Sequence, residues 1–300
     1  MVDLDHERSV AVDKEGGTHA FHATSGVALR PHGSSSFVAG HPPGSAGRSY
    51  PLFSRPALRG RGYGRGGGVI LYHFLRFFFS CYLPLVHRLT IRGRGRMPVD
   101  GAVIIFANHT SYLDAMLLAL CTPRPVRFMV SRNFYDHPIL GFIIRRSGGI
   151  PVSPNGIDPQ AFKQALRVLK GGEVIGIFPE GRLSRTGLPS SGRPGALLLA
   201  ALSGAPVVPV TITGAFFVYP RGELFPRPGA IRVTIHFPLS VDRERSKERQ
   251  YLQDLTDRLM AGMGKRLRGY YRVRGRRRRG AVRQSGSSVV LGRSNNSTDF

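Results

Sequence analysis

Five short, almost wholly apolar runs recur through the middle of this chain, and the stretches between them carry helical periodicity. The runs are AVIIF at 102–106, VRFMV at 126–130, VIGIF at 174–178, VVPVTIT at 207–213 and IRVTIHF at 231–237. Each is of the right length for a strand, and AVIIF has the pattern of a buried one. Between them, residues 114–120 form an apolar helical stretch, and residues 133–146 another that Pro138 breaks or kinks. Residues 158–170 place Phe162, Ala165, Leu166 and Leu169 at i, i+3, i+4 and i+7. Residues 194–203 read as a small helix opened by Pro194, and 242–268 as a long one with Leu252, Leu255, Leu259 and Met263 on one stripe. Strands alternating with helices of these lengths predict an α/β domain over 90–268, a central mixed sheet flanked by helices.

The flanks differ in kind. Residues 1–68 are rich in Gly, Ser, Pro and Arg without a sustained apolar period, and are expected to be disordered. Pattern begins abruptly near Val69; one hypothesis is that 1–68 is not native, which an intact mass of the full 300 residues would refute. The opening is charged and has no apolar stretch of the secretory kind. Residues 69–89, VILYHFLRFFFSCYLPLVHRL, approach the length of a membrane span, but Arg76 and Pro84 interrupt them. A helix in the membrane interface suits them better, with its aromatics in the headgroup region and His73, Arg76 and Arg88 snorkelling. Residues 269–300 are expected to be a disordered basic tail.

Charge points the same way. The chain carries a formal net charge of +25, and its last 36 residues hold eleven basic side chains against one acidic. Such an excess attracts phosphate-rich partners: anionic lipid first, given the apolar 69–89 segment, with non-specific nucleic acid as the other reading of the tail. Cys81 and Cys121 form no C-x-x-C or Cys/His spacing, so neither a disulfide framework nor a zinc site is expected. The expected location is a membrane surface on the cytoplasmic side.

Two segments carry candidate chemistry. Asn108-His109-Thr110-Ser111-Tyr112-Leu113-Asp114 follows one strand and opens a helix. An Asp five residues beyond a His can fix the imidazole tautomer, leaving the other ring nitrogen to take a proton from a hydroxyl. On spacing alone, Ser111 or Asp114 acting as a helix cap fits equally well. Phe178-Pro179-Glu180-Gly181-Arg182 follows another strand. There Gly181 permits close backbone approach and Arg182 offers a planar fork for phosphate or carboxylate. A polar turn between strand and helix also accounts for it.

Together the two segments resemble the glycerolipid acyltransferase family, typified by 1-acylglycerol-3-phosphate acyltransferase. That family carries N-H-x-x-x-x-D and, about 70 residues on, F-P-E-G-x-R-S; here they stand as NHTSYLD at 108–114 and FPEGRLS at 178–184. A third block, a V-P-V strand before a small residue, matches Val208-Pro209-Val210 and Gly214. The resemblance covers about residues 70–240. It implies an O-acyltransferase of phospholipid biosynthesis that makes phosphatidic acid. His109 would be the general base and Asp114 its partner, and the acceptor's own hydroxyl would attack the thioester. Asn108, Ser111, Glu180, Gly181 and Arg182 would contact substrate, with Arg182 on the acceptor phosphate. Acyl-CoA or acyl carrier protein would enter as co-substrate, with no cofactor and no metal.

The chain departs from the family pattern in two places. Arg182 stands one position earlier than the Thr-Arg that usually follows FPEG. In the intermediate G-x-x-x-x-R block, Gly149-Ile150-Pro151-Val152-Ser153-Pro154, Pro154 replaces the arginine; Arg145 and Arg146 just upstream are candidate substitutes for phosphate binding. Another lyso-lipid acceptor, such as a lyso-aminolipid, is therefore an alternative. A catalytically inert membrane or nucleic-acid binding protein is a further one, resting on the basic tail.

Overall fold

A computed structural model describes residues 67–153 and 158–287, all within the compact unit Pro42–Phe300. Seven strands form one sheet: β1 (Arg88–Arg92), β2 (Val103–Ala107), β3 (Val126–Ser131), β4 (Ile150–Val152), β5 (Val174–Ile177), β6 (Val207–Thr213) and β7 (Ala230–Ile235). Their spatial order is β1-β7-β6-β2-β5-β3-β4. Every pairing is parallel except β6 with β7, so the sheet is mixed, as the alternating pattern predicts. The three strands at its centre, β6, β2 and β5, are buried at every position. That is why they read as unbroken apolar runs rather than as alternation.

The helices are α1 (Gly67–Val86), α2 (Asp114–Ala119), α3 (Arg132–Tyr135), α4 (Pro138–Arg146), α5 (Pro159–Lys170), α6 (Gly195–Ser203), α7 (Ala215–Val218) and α8 (Arg249–Ser287). Alternate side chains of β2 feed two separate cores. Ile104 and Phe106 join α5, α6 and α8 on one face, with Leu169, Leu197, Leu199 and Leu252. Val103 and Ile105 join α1 and α2 on the other, with Leu83, Leu117 and Leu118. Each such side chain, fully buried, contributes roughly 1.5–3 kcal/mol.

Local chemistry sets the helix starts. The Asp158 carboxylate accepts from the Gln160 and Ala161 N–H groups, with Pro159 in the first turn of α5. The predicted break at Pro138 falls between α3 and α4, where His137 accepts from the Leu140 N–H and Pro138 opens the new helix.

Two boundaries differ from the sequence reading. The apolar helix was expected to reach residue 89, but α1 ends at Val86 and Arg88–Arg92 pair in parallel with β7. Arg-Leu-Thr-Ile-Arg is an edge strand, half-exposed by alternation, and the apolar run before it masks its start. At the other end the tail was expected to begin at 269, yet α8 continues to Ser287. Side chains beyond the apolar stripe hold it. The Tyr270 hydroxyl donates to the Ala230 carbonyl (3.3 Å), the Tyr271 hydroxyl to the Gly187 carbonyl (2.6 Å), and the Arg274 guanidinium lies over the Phe217 ring. Residues 1–66, Pro154 and residues 288–300 lie outside the described residues, and with them the expectations placed there. Among the described residues no helix is long and apolar enough to cross a membrane.

Candidate active site

Strand β2 delivers the first loop to the end of the sheet, where Asn108 anchors it. The Asn108 side chain donates from Nδ2 to the Ile212 carbonyl (3.0 Å), and its Oδ1 accepts from the Ile212 N–H (2.8 Å). Fully buried, it continues the β2–β6 pairing one residue beyond the backbone ladder. Its amide is committed to β6, next to His109. The Ser111 hydroxyl is engaged as well. It donates to the Tyr219 carbonyl (2.8 Å) and accepts from the Leu113 N–H (3.2 Å), which ties the loop to the end of α7.

Asp114 organises what lies between. Its Oδ2 accepts from the Thr110 N–H (2.6 Å), the Ser111 N–H (2.8 Å) and His109 Nδ1 (3.0 Å). Asp114 is wholly inaccessible to solvent, whereas 21% of the His109 side chain is exposed. Since Oδ2 can only accept from the ring, the shared proton sits on Nδ1, and Nε2 keeps its lone pair. Nε2 has no hydrogen-bond partner among the described residues. The helix-cap and base–orienter readings of the sequence are both realised, because one oxygen atom does both.

The imidazole is also fixed face-on. It stacks on Phe178 at 3.9 Å between centroids and 12° between planes, and Phe178 stacks in turn on Phe128 at 6.2 Å and 9°. Phe128 has room only because position 176 is glycine; a Cβ there would overlap the Phe128 ring. Phe128 and Gly176 escaped the sequence reading, since both sit inside runs that read simply as strand.

Glu180 joins the two motifs. Its Oε1 accepts from the His109 N–H (2.9 Å), while Oε2 accepts from the Ser190 N–H (2.9 Å) and hydroxyl (3.1 Å). The residue is 6% exposed. Burial pushes its carboxyl above the usual carboxylate range, and the hydrogen bonds from Ser190 and His109 oppose that rise. Through these bonds Glu180 clasps the two loops together. The Ser184 N–H adds a second tie, to the His109 carbonyl (2.8 Å).

Beyond Glu180 opens a cleft of about 450 Å³, lined by Glu180, Gly181, Arg182, Ser190, Ser191, Gly192 and Arg193. Gly181 closes a tight turn, donating to the Phe178 carbonyl, and holds φ +65°, which other residues adopt with strain. Arg182 is exposed at the cleft's edge. Arg145 and Arg146 do not line the cleft. Arg145 donates to the Tyr135 carbonyl (2.6 Å), and Arg146 lies over the Phe142 ring at the end of α4. Cys121 is buried, and burial pushes its thiol up to about 12, which leaves it inert. Among the described residues no group of three His, Cys, Asp or Glu side chains could hold a metal ion.

A family model described as Acyltransferase matches residues 88–213, a span that contains both loops. The matched span resembles the glycerolipid acyltransferases. The chain is 30% identical over 175 residues to a chloroplastic 1-acyl-sn-glycerol-3-phosphate acyltransferase of Arabidopsis thaliana, covering 56% of this chain and 48% of that one. It is 25% identical over 170 residues to the 1-acyl-sn-glycerol-3-phosphate acyltransferase of Bacillus subtilis, covering 56% of this chain and 82% of that one. The chain thus spans about half the length of the plant relative and most of the bacterial one. The crystal structure of the 1-acyl-sn-glycerophosphate acyltransferase PlsC from Thermotoga maritima shares the fold, with a TM-score of 0.54 at 24% identity over 65% of this chain and 80% of that one. In this chain His109, Asp114 and Glu180 tie the two loops together through a single hydrogen-bonded network.

Proposed function

We propose that this protein transfers a fatty acyl group from a thioester, acyl-CoA or acyl carrier protein, to the sn-2 hydroxyl of 1-acylglycerol-3-phosphate. The observation that carries the reading is the Asp114–His109 pair, with Nδ1 anchored and Nε2 open. In the reaction, Nε2 takes the proton of the acceptor hydroxyl as its oxygen attacks the thioester carbonyl carbon. The C–S bond then breaks, and the imidazolium returns the proton to the leaving sulfur. Asp114 stabilises the imidazolium through Nδ1–H. No side chain becomes acylated, consistent with Ser111 being turned away to the Tyr219 carbonyl.

Substrates of this kind reside in a membrane, and α1 and α4 offer a surface for it. Ile70, Phe74, Phe77 and Phe78 on α1 and Ile139 and Phe142 on α4 are all exposed, and the two helices pack together. Arg145 and Arg146 at the end of α4 supply positive charge at the edge of this apolar face, suited to anionic headgroups.

Radiolabelled palmitoyl-CoA or palmitoyl-acyl carrier protein, each supplied with lysophosphatidate or with a lyso-aminolipid, tests the reading on membranes expressing the protein. Labelled phosphatidate is the expected product. Label on the lyso-aminolipid alone would reassign the acceptor, and no labelled lipid from either donor class would contradict the reaction itself.

A further inference from the structure

The cleft beside Glu180 holds two guanidinium groups that nothing among the described residues neutralises. Arg182 and Arg193 are both exposed, and neither makes a hydrogen bond or ion pair through its side chain among the described residues. The only carboxylate lining the cleft is Glu180, whose oxygens are taken by His109 and Ser190. Two like charges in one concave wall favour a ligand carrying two negative charges.

The backbone brings the two arginines together across eleven positions of sequence. Gly181, at positive φ, reverses the chain just before Arg182. The Arg193 N–H donates to the Pro179 carbonyl (2.9 Å), and Ser190 is clasped by Glu180, so the 190–193 segment lies along the turn. The Arg193 guanidinium passes over Gly181, where its Cζ would lie 3.9 Å from a Cβ built at that glycine. The same Glu180 carboxylate that fixes the 190–193 segment also holds the His109 backbone. The distance from base to clamp is therefore set through one residue.

We propose that Arg193 is a second phosphate-binding residue which, with Arg182, clamps the phosphate monoester of the acceptor. The inference rests on the acceptor reading above and deepens it. A phosphate monoester carries nearly two negative charges at neutral pH and presents three acceptor oxygens, enough for two planar forks. Arg193 thereby supplies the positive charge that Pro154 cannot, from a different loop, while Arg145 and Arg146 stay outside the cleft.

The test compares wild type with Arg193→Gln and Arg193→Lys, using palmitoyl-CoA with lysophosphatidate or with monoacylglycerol, which lacks the phosphate. Losing one charge-assisted phosphate contact raises the lysophosphatidate KM of Arg193→Gln about tenfold or more. The palmitoyl-CoA KM and the rate on monoacylglycerol stay put, and Arg193→Lys recovers part of the loss. A rise confined to palmitoyl-CoA, whose phosphates are the other source of such an anion, overturns the assignment; so does an unchanged lysophosphatidate KM. Calorimetric titration with glycerol 3-phosphate reads the clamp without turnover. Binding by wild type that weakens about tenfold in Arg193→Gln upholds it even if lysophosphatidate is not acylated, which would then count against the proposed reaction alone. Equal binding by the two proteins, or none by wild type, overturns it.

Discussion

The loop that ends β2 and the cleft that follows β5 sit on either side of Glu180, and they are built on opposite plans. In the first, most polar groups are engaged, although Asp114 Oδ1 is buried with no partner among the described residues. Asp114 Oδ2 accepts three N–H donors, Asn108 clasps β6, and Ser111 is fixed at both its hydroxyl proton and its lone pair. The one ring nitrogen left open is His109 Nε2. In the second, the backbone is equally well stitched, but the long side chains of Arg182 and Arg193 have no hydrogen-bond or ion-pair partner among the described residues. The contrast separates two tasks. A proton acceptor must be held to a fraction of an ångström, so its neighbours are tied down. A headgroup site must leave its charges free until the ligand arrives.

Substitutions can break that contrast from the rigid side first. Asp114→Asn replaces an acceptor of three donors with an amide that has one acceptor atom and one donor group, and it favours the wrong imidazole tautomer. Transfer should fall about 10²–10⁴-fold, measured as initial rate on lysophosphatidate. A rate within a few-fold of wild type would show that the saturation of Oδ2 is merely structural.

The next largest effect lies beneath the ring stack. Gly176→Ala forces the Phe128 ring to move, and with it Phe178 and the imidazole stacked on it. Overpacking of this kind costs about 1–3 kcal/mol, read as a lower melting temperature, and a misaligned base should lower the rate roughly tenfold to a hundredfold. Pairing it with Phe128→Leu, which vacates the space, should restore much of both. Lost stability with undiminished turnover would mean that the stack supports the fold and leaves the base untouched.

The smallest effect concerns a histidine outside the site. His236, hydrogen-bonded to the Thr211 hydroxyl at 2.9 Å, is held neutral: burial, then Arg266 and Arg96, lower its pKa from 6.5 to about 4. Because the unfolded chain binds this proton more tightly than the folded one, the stability His236 permits is full above pH 6.5. It is lost as the pH falls from there towards about 4. Melting curves across that window should show a shallower decline for His236→Gln than for wild type, and parallel declines would remove His236 as a cause.

How much of this was legible in the sequence follows from what each feature depends on. The central strands were, because burial on both faces leaves only apolar residues, and so were both motifs, because each is contiguous. The strand at Arg88–Arg92 was not: it lies at a sheet edge, and three of its five residues are exposed. The continuation of α8 past residue 268 depends on Tyr270 and Tyr271 meeting Ala230 and Gly187, neither of which its own periodicity can reveal. The roles of Asn108, Ser111 and Glu180 required the fold as well. A motif names the residues at a site, but only their partners distinguish those that touch substrate from those that hold the loops. Arg193 carries no local signal, being one arginine in a Ser-Gly-Pro loop of a strongly basic chain.

The central claim is that His109, aimed by Asp114 and backed by Phe178, is the general base. Acyl transfer from labelled palmitoyl-CoA to lysophosphatidate, compared between wild type and His109→Ala at matched protein levels, tests it most directly. The account predicts that His109→Ala loses about 10²–10⁴-fold in rate while its melting temperature and recovery with membranes match wild type. A folded His109→Ala protein that forms phosphatidate at close to the wild-type rate would contradict it.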